Sequence, residues 1–335
     1  MLRTFTIEDP FLLESGRTLP KLEIAYHVFG DLSRSQPLVW VFHALTGNSD
    51  PTDWWGGIIG HGKCIDPGKH SIVCANVLGS CYGTTGPTSI NPQTGKPWLR
   101  GFPLVSIRDM VRAHELLRQH LSIEQIDLAI GSSLGAFQAL EWAIMHPRRI
   151  QNLLFIAASA RCSPWAKAFN ETQRMALMAD PGFFCDKPGG GRDGLKAARA
   201  IGMLSYRSFE AFHQTQQDPG DQALDNYRAC SYQQYQGEKL ARRFNAHAYY
   251  TISRAFDTHD AGRDRGGLKQ ALGRIKAMTH CISIQTDLLF PVNEVKKVAE
   301  MVPGATHQTI ESLYGHDGFL VENDALAGII REKFF

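Results

Sequence analysis

The apolar positions fall into short runs separated by stretches with a helical period. Leu22, Ile24, Tyr26 and Val28 alternate with other residues, the two-residue period of a half-buried strand. Leu38-Val39-Trp40-Val41-Phe42 and Ser71-Ile72-Val73-Cys74-Ala75-Asn76-Val77-Leu78 are near-continuous apolar runs, as expected of strands covered on both faces. Ile107, Met110, Val111, Leu117 and Leu121 mark one face of a helix. A strand follows over Ile126–Ile130, then a helix carrying Phe137, Leu140 and Ile144 at i, i+3 and i+7, then a strand over Leu153–Ala157. This alternation predicts βαβ units and a mostly parallel sheet.

After Ala160 the rhythm changes. The chain becomes rich in Arg, Gln, Tyr and Phe and reads as mostly helical, interrupted by the loop Pro188-Gly189-Gly190-Gly191. Strand patterns return at His280–Ile284 and Ala305–Ile310. The simplest organisation is an α/β core in two parts, residues 1–162 and 276–335, with a helical insertion over 163–275. An insertion at the carboxyl ends of the strands would cover the place where open α/β sheets bind ligands.

Composition narrows the classes. The net charge of +2 over 335 residues is too small for a nucleic-acid binder. No apolar run approaches the ~20 residues of a membrane span, and the first ten residues lack the apolar segment of a signal peptide. The seven cysteines are odd in number and contain no C-x-x-C pair, which favours reduced thiols in a cytoplasmic protein. The histidines and cysteines show no zinc-ligand spacing, so no metal is expected. No glycine-rich phosphate loop follows the first strand, and no bound cofactor is implied.

The chemistry begins at Gly131-Ser132-Ser133-Leu134-Gly135, a G-x-S-x-G motif between a strand and a helix. A nucleophile elbow requires that context, because small residues must flank a serine on so tight a turn. Ser133 is the candidate nucleophile. The motif demands an acid and then a histidine further along the chain. Asp287 follows the strand ending at Gln285, and His316 lies in the loop Gly315-His316-Asp317-Gly318 past the strand near Ile310. His316 would take the Ser133 proton, and Asp287 would hold the imidazole tautomer. The oxyanion hole needs two aimed backbone N–H groups. Leu134 is one candidate; Leu45 or Thr46, after the strand ending at Phe42, supplies the other. His43 is read as shaping that loop.

These residues lie within a wider likeness. His43–Gly47, Asn76–Pro87, Gln138–Trp142, Tyr235–Lys239 and Tyr314–Phe319 resemble the homoserine O-acetyltransferases of the α/β-hydrolase superfamily over nearly the whole chain. The resemblance implies an α/β-hydrolase fold with a helical lid, a homodimer, and acetyl transfer from acetyl-CoA as co-substrate to the hydroxyl of L-homoserine. It assigns Arg199 to the substrate carboxylate, Tyr206 to the same tunnel and Asp317 to the substrate amino group, with Arg207 as an alternative cation. One guanidinium and one carboxylate suit a zwitterion in a water-poor site. Many members of the family have a Gly-Gly-Ser-Met-Gly-Gly elbow; here Ser132, Leu134 and Ala136 differ, which leaves succinyl-CoA open as the donor. A serine O-acyltransferase and a plain esterase would share the triad. A non-catalytic binding protein is disfavoured by an intact Ser133, Asp287 and His316.

Overall fold

The continuous apolar runs become the inner strands of one eight-stranded sheet. The computed structural model describes residues 1–220 and 224–335. The strands are β1 (Leu2–Ile7), β2 (Leu22–Phe29), β3 (Leu38–Phe42), β4 (Ser71–Ala75), β5 (Ile126–Ser132), β6 (Ile150–Ile156), β7 (Met278–Ile284) and β8 (Thr306–Ile310). Their spatial order is β1-β2-β4-β3-β5-β6-β7-β8. The ladders from β4 through β3 to β8 are parallel; β2 runs antiparallel to both β1 and β4. This is the mostly parallel sheet that the apolar pattern predicts.

Residues alternate along β3 between two cores. Trp40 and Phe42 join the core beneath helices α1 (Ile107–His120) and α2 (Leu134–Met145). Val39 and Val41 join the core beneath α10 (Asn323–Phe334). The Trp40 and Trp142 rings meet edge to face at 4.9 Å between centroids, fixing α2 on the sheet. Between β6 and β7 lie α3 (Pro164–Ala179), α4 (Arg192–Tyr206), α5 (Phe209–Gln216), α6 (Arg228–Ala241), α7 (Ala246–Asp257) and α8 (Leu268–Leu272); α9 (Val292–Met301) follows β7. Glu141 of α2 is buried and receives hydrogen bonds from Arg108 of α1 at 3.1 Å and Arg265 before α8 at 3.0 Å. That network ties the elbow helix to the end of the insertion.

One strand is shorter than its apolar run. The run continues to Leu78, but β4 stops at Ala75 because Asn76 turns its amide to other work. Its Oδ1 accepts from the Ser49 N–H at 2.8 Å, and its Nδ2 donates to the Tyr82 carbonyl at 2.8 Å. The first strand, β1, carries no clear apolar alternation and lies exposed at the edge, where burial imposes little pattern.

The junction of β3, β5 and α2 is tight. A Cβ on Gly135 would lie 2.1 Å from the Phe42 carbonyl oxygen, and one on Gly131 would lie 2.4 Å from the Gly135 backbone. Backbone therefore packs against backbone at both glycines. Gly135→Ala should lower stability by about 3 kcal/mol through this overpacking, outweighing a helix-propensity gain of about 1 kcal/mol. Denaturant unfolding checks this; an unchanged midpoint would show that the contact is soft.

Candidate active site

Ser133 caps α2 with φ 54° and ψ −124°, a left-handed backbone costing about 1–3 kcal/mol for a residue with a side chain. Its N–H donates to the Ile156 carbonyl at 3.0 Å, and the two tight glycines allow the turn. The elbow stands at the carboxyl end of a central strand. Leu134 is the first residue of α2, so its N–H has no intrahelical partner. The helix N-terminus favours negative charge at that point.

Asp287 follows β7 and His316 follows β8, so both stand at the same sheet edge as Ser133. Asp287 Oδ2 accepts from His316 Nδ1 at 2.7 Å. The other carboxylate oxygen accepts from the Leu289 and Phe290 N–H groups at 2.8 and 2.9 Å. The carboxylate is thus fully engaged, and with Nδ1–H donating to it the imidazole leaves Nε2 as the free base. Ser133, Asp287 and His316 are all buried.

The loop after β3 is tied from several sides. His43 Nδ1 donates to the Ala44 carbonyl at 2.8 Å, and its Nε2 accepts from the Val77 N–H at 3.1 Å. Burial lowers the pKa of His43 to about 4, so the ring is neutral and serves as a two-ended brace. Arg243, from just past α6, donates to the Thr46 carbonyl at 2.6 Å and to the Tyr82 hydroxyl at 2.9 Å. These contacts hold the backbone that carries Leu45 and Thr46.

A cavity of about 480 Å³ opens between the core and the insertion. Ser133, His316, Leu45, Arg199, Tyr206 and Asp317 all line it. The two alternative cations separate here. Arg207 Nε lies 3.2 Å from Asp317 Oδ2, poorly aligned for a hydrogen bond but paired in charge. Among the described residues Arg199 has no carboxylate partner; its guanidinium lies over the Tyr206 ring at 5.3 Å. Burial pushes the Tyr206 phenol above its ordinary pKa, although the Arg199 charge opposes this, so Tyr206 stays a neutral donor. Among the described residues no cluster of His, Cys, Asp and Glu is arranged to hold a metal ion.

Comparison with known proteins then places the chain. Residues 37–186 match a family model described as the alpha/beta hydrolase fold. A homoserine O-acetyltransferase from Cyclobacterium marinum is 44% identical, over 98% of this chain and 94% of its own length. The chain belongs to the homoserine O-acetyltransferase family. A solved homoserine O-acetyltransferase from Staphylococcus aureus superposes with a TM-score of 0.81 at 29% identity, covering 100% of this chain and 96% of that one. The solved esterase E22 superposes with a TM-score of 0.89 at 25% identity, covering 99% of each chain.

Within this family member, several cavity residues escape a reading of sequence pattern. Trp54, Asn170, Lys239 and Arg243 also line the space. Asn170 and Arg174 are four apart on α3 and buried, a polar spacing that reads as a solvated face until the insertion folds onto the core.

His316 is the group whose charge the site controls. Its burial disfavours the imidazolium, but the charge and hydrogen bond of Asp287, with the charge of Asp317, outweigh burial and raise the pKa above the ordinary 6.5. A reaction that needs neutral His316 should therefore fail as pH falls through a midpoint above 6.5. An NMR titration of the His316 ring should place its midpoint above that value in the wild type. In Asp287→Asn it should drop, because burial then meets only the Asp317 charge. A variant midpoint equal to the wild-type one would remove Asp287 as the cause.

Proposed function

We propose that this protein transfers the acetyl group of acetyl-CoA to the hydroxyl of L-homoserine through an acyl-Ser133 intermediate, early in methionine synthesis. One observation carries the reading. The cavity that holds Ser133 and His316 also presents a guanidinium, Arg199, with no carboxylate partner among the described residues, and a carboxylate, Asp317. That is the charge pattern for an amino-acid zwitterion, and a simple ester or thioester requires neither.

The chemistry needs only groups of the chain and the two substrates. Ser133 Oγ attacks the thioester carbonyl as its proton passes to His316 Nε2, and Asp287 stabilises the imidazolium. The oxyanion receives the Leu134 N–H and the N–H of Leu45. The C–S bond breaks, and the sulfur leaves with the proton from His316. The homoserine hydroxyl then attacks the acyl carbon, giving its proton to His316. The C–O bond to Ser133 breaks and the proton returns to Oγ. Arg199 on the carboxylate and Asp317 on the ammonium fix the alcohol against the acyl carbon, giving it a high effective molarity over water. Lys239 and Arg243 add positive charge to the cavity lining, which suits a polyanionic thioester donor.

In this reading residues 1–162 and 276–335 form the catalytic core, and residues 163–275 act as a lid over the sheet edge. The protein works as a homodimer in the cytoplasm. Among the described residues no helix is long and apolar enough to cross a membrane. A second reading, a serine esterase, is supported by the close superposition on esterase E22.

The test follows release of free CoA thiol from acetyl-CoA and from succinyl-CoA, each with and without L-homoserine. Release from acetyl-CoA that depends on homoserine is expected. Ser133→Ala should lower kcat on the order of 10⁶-fold. Faster release from succinyl-CoA would keep the mechanism and change the donor, and equal release without homoserine would support hydrolysis. Arg199→Ala should raise the homoserine KM about 10- to 100-fold, the loss of a charged hydrogen-bonding partner. Steady-state kinetics at varied homoserine would sink that assignment if KM did not move.

A further inference from the structure

We propose that Asn170 selects the amino-acid acceptor: its side-chain carbonyl accepts a hydrogen bond from the substrate ammonium, with Asp257 and Arg174 holding it in that orientation. This rests on the acetyl-transfer reading above.

Asn170 comes from α3 of the insertion, is 5% exposed, and lines the cavity with Ser133, Arg199 and Asp317. Its Nδ2 donates to Asp257 Oδ1 at 2.7 Å. Asp257 Oδ2 in turn accepts from Arg174 Nη2 at 2.6 Å. Arg174 is fixed by a second carboxylate, with Nε donating to Glu171 at 2.8 Å. The orientation of the amide follows from chemistry. A carboxylate only accepts, so the Asn170 NH₂ must face Asp257; the flipped amide would set oxygen against oxygen. What remains for the cavity is Oδ1, an acceptor.

The reactants differ in what they offer an acceptor. The acetyl thioester has no donor. The homoserine hydroxyl must give its proton to His316. The α-ammonium has three N–H groups, and Asp317 cannot satisfy all of them in a buried site. A neutral carbonyl beside that carboxylate supplies a further acceptor without adding a second negative charge. CoA also carries donors, of which the amide N–H groups of its pantetheine arm lie nearest the thioester. The geometry favours the ammonium, because Arg199 and Asp317 share the cavity with Asn170.

The experiment compares wild type, Asn170→Ala and Asp257→Asn with two acceptors, L-homoserine and 4-hydroxybutanoate, which lacks the ammonium. Asn170→Ala should raise the homoserine KM about 10- to 100-fold, with the acetyl-CoA KM and the 4-hydroxybutanoate kinetics unchanged. Asp257 is a positioning residue outside the cavity lining. Asp257→Asn keeps the volume but lets the Asn170 amide turn, so it should raise the same KM with less effect on kcat. Thermal unfolding of both variants separates misfolding from the effect sought. An equal penalty with 4-hydroxybutanoate would overturn the proposal in favour of simple packing. A change confined to the acetyl-CoA KM would overturn it in favour of the pantetheine amide. Wild-type enzyme that acetylated no homoserine at all would fell the function reading itself, and this proposal with it.

Discussion

The site depends on one contact between backbones: α2 seated against the carbonyl of Phe42, with no side chain between them. Gly135 permits it, and Gly131 lets the turn close behind it. The left-handed Ser133 is held there by packing that a larger residue at either glycine would push apart. The same contact brings the first N–H of α2 beside the loop after β3. Ser133, the N-terminus of α2 and the loop bearing Leu45 and Thr46 are therefore placed together by one close approach.

The second constraint is electrical. The cavity is walled by a fold whose interior is apolar on both sides of the sheet, yet it carries Arg199, without a carboxylate partner among the described residues, and Asp317 beside Arg207. An unpaired cation in a half-enclosed space is costly to desolvate, and its natural complement is an anion brought by a ligand. The His316–Asp287 pair follows a different logic, since both oxygens of the Asp287 carboxylate are engaged by donors within the protein. That pair is closed within the protein; Arg199 stays open toward the cavity.

The inner strands were legible because burial on both faces leaves no polar positions, as in β3. The elbow was legible because a tight turn admits so few residue types at Gly131, Ser133 and Gly135. Asp287 and His316 could be found because the order of the motif and the strand ends restrict where an acid and a base can stand. The end of β4 was not legible, since Asn76 follows apolar residues and only its partners Ser49 and Tyr82 explain the break. Arg243 and Asn170 were equally hidden. Their partners are far away in sequence, Thr46 for one and Asp257 for the other, and a polar residue on a helix looks solvated until another element covers it.

Arg243 sits at the base of the insertion, yet its guanidinium holds a carbonyl of the core. The two parts of the protein are consequently not interchangeable modules. A chimera whose grafted helices lacked this arginine would lose a support of the loop bearing Leu45, however well the graft folded. In this chain the arginine and its receiving loop form one unit that a recombination between the two parts would split.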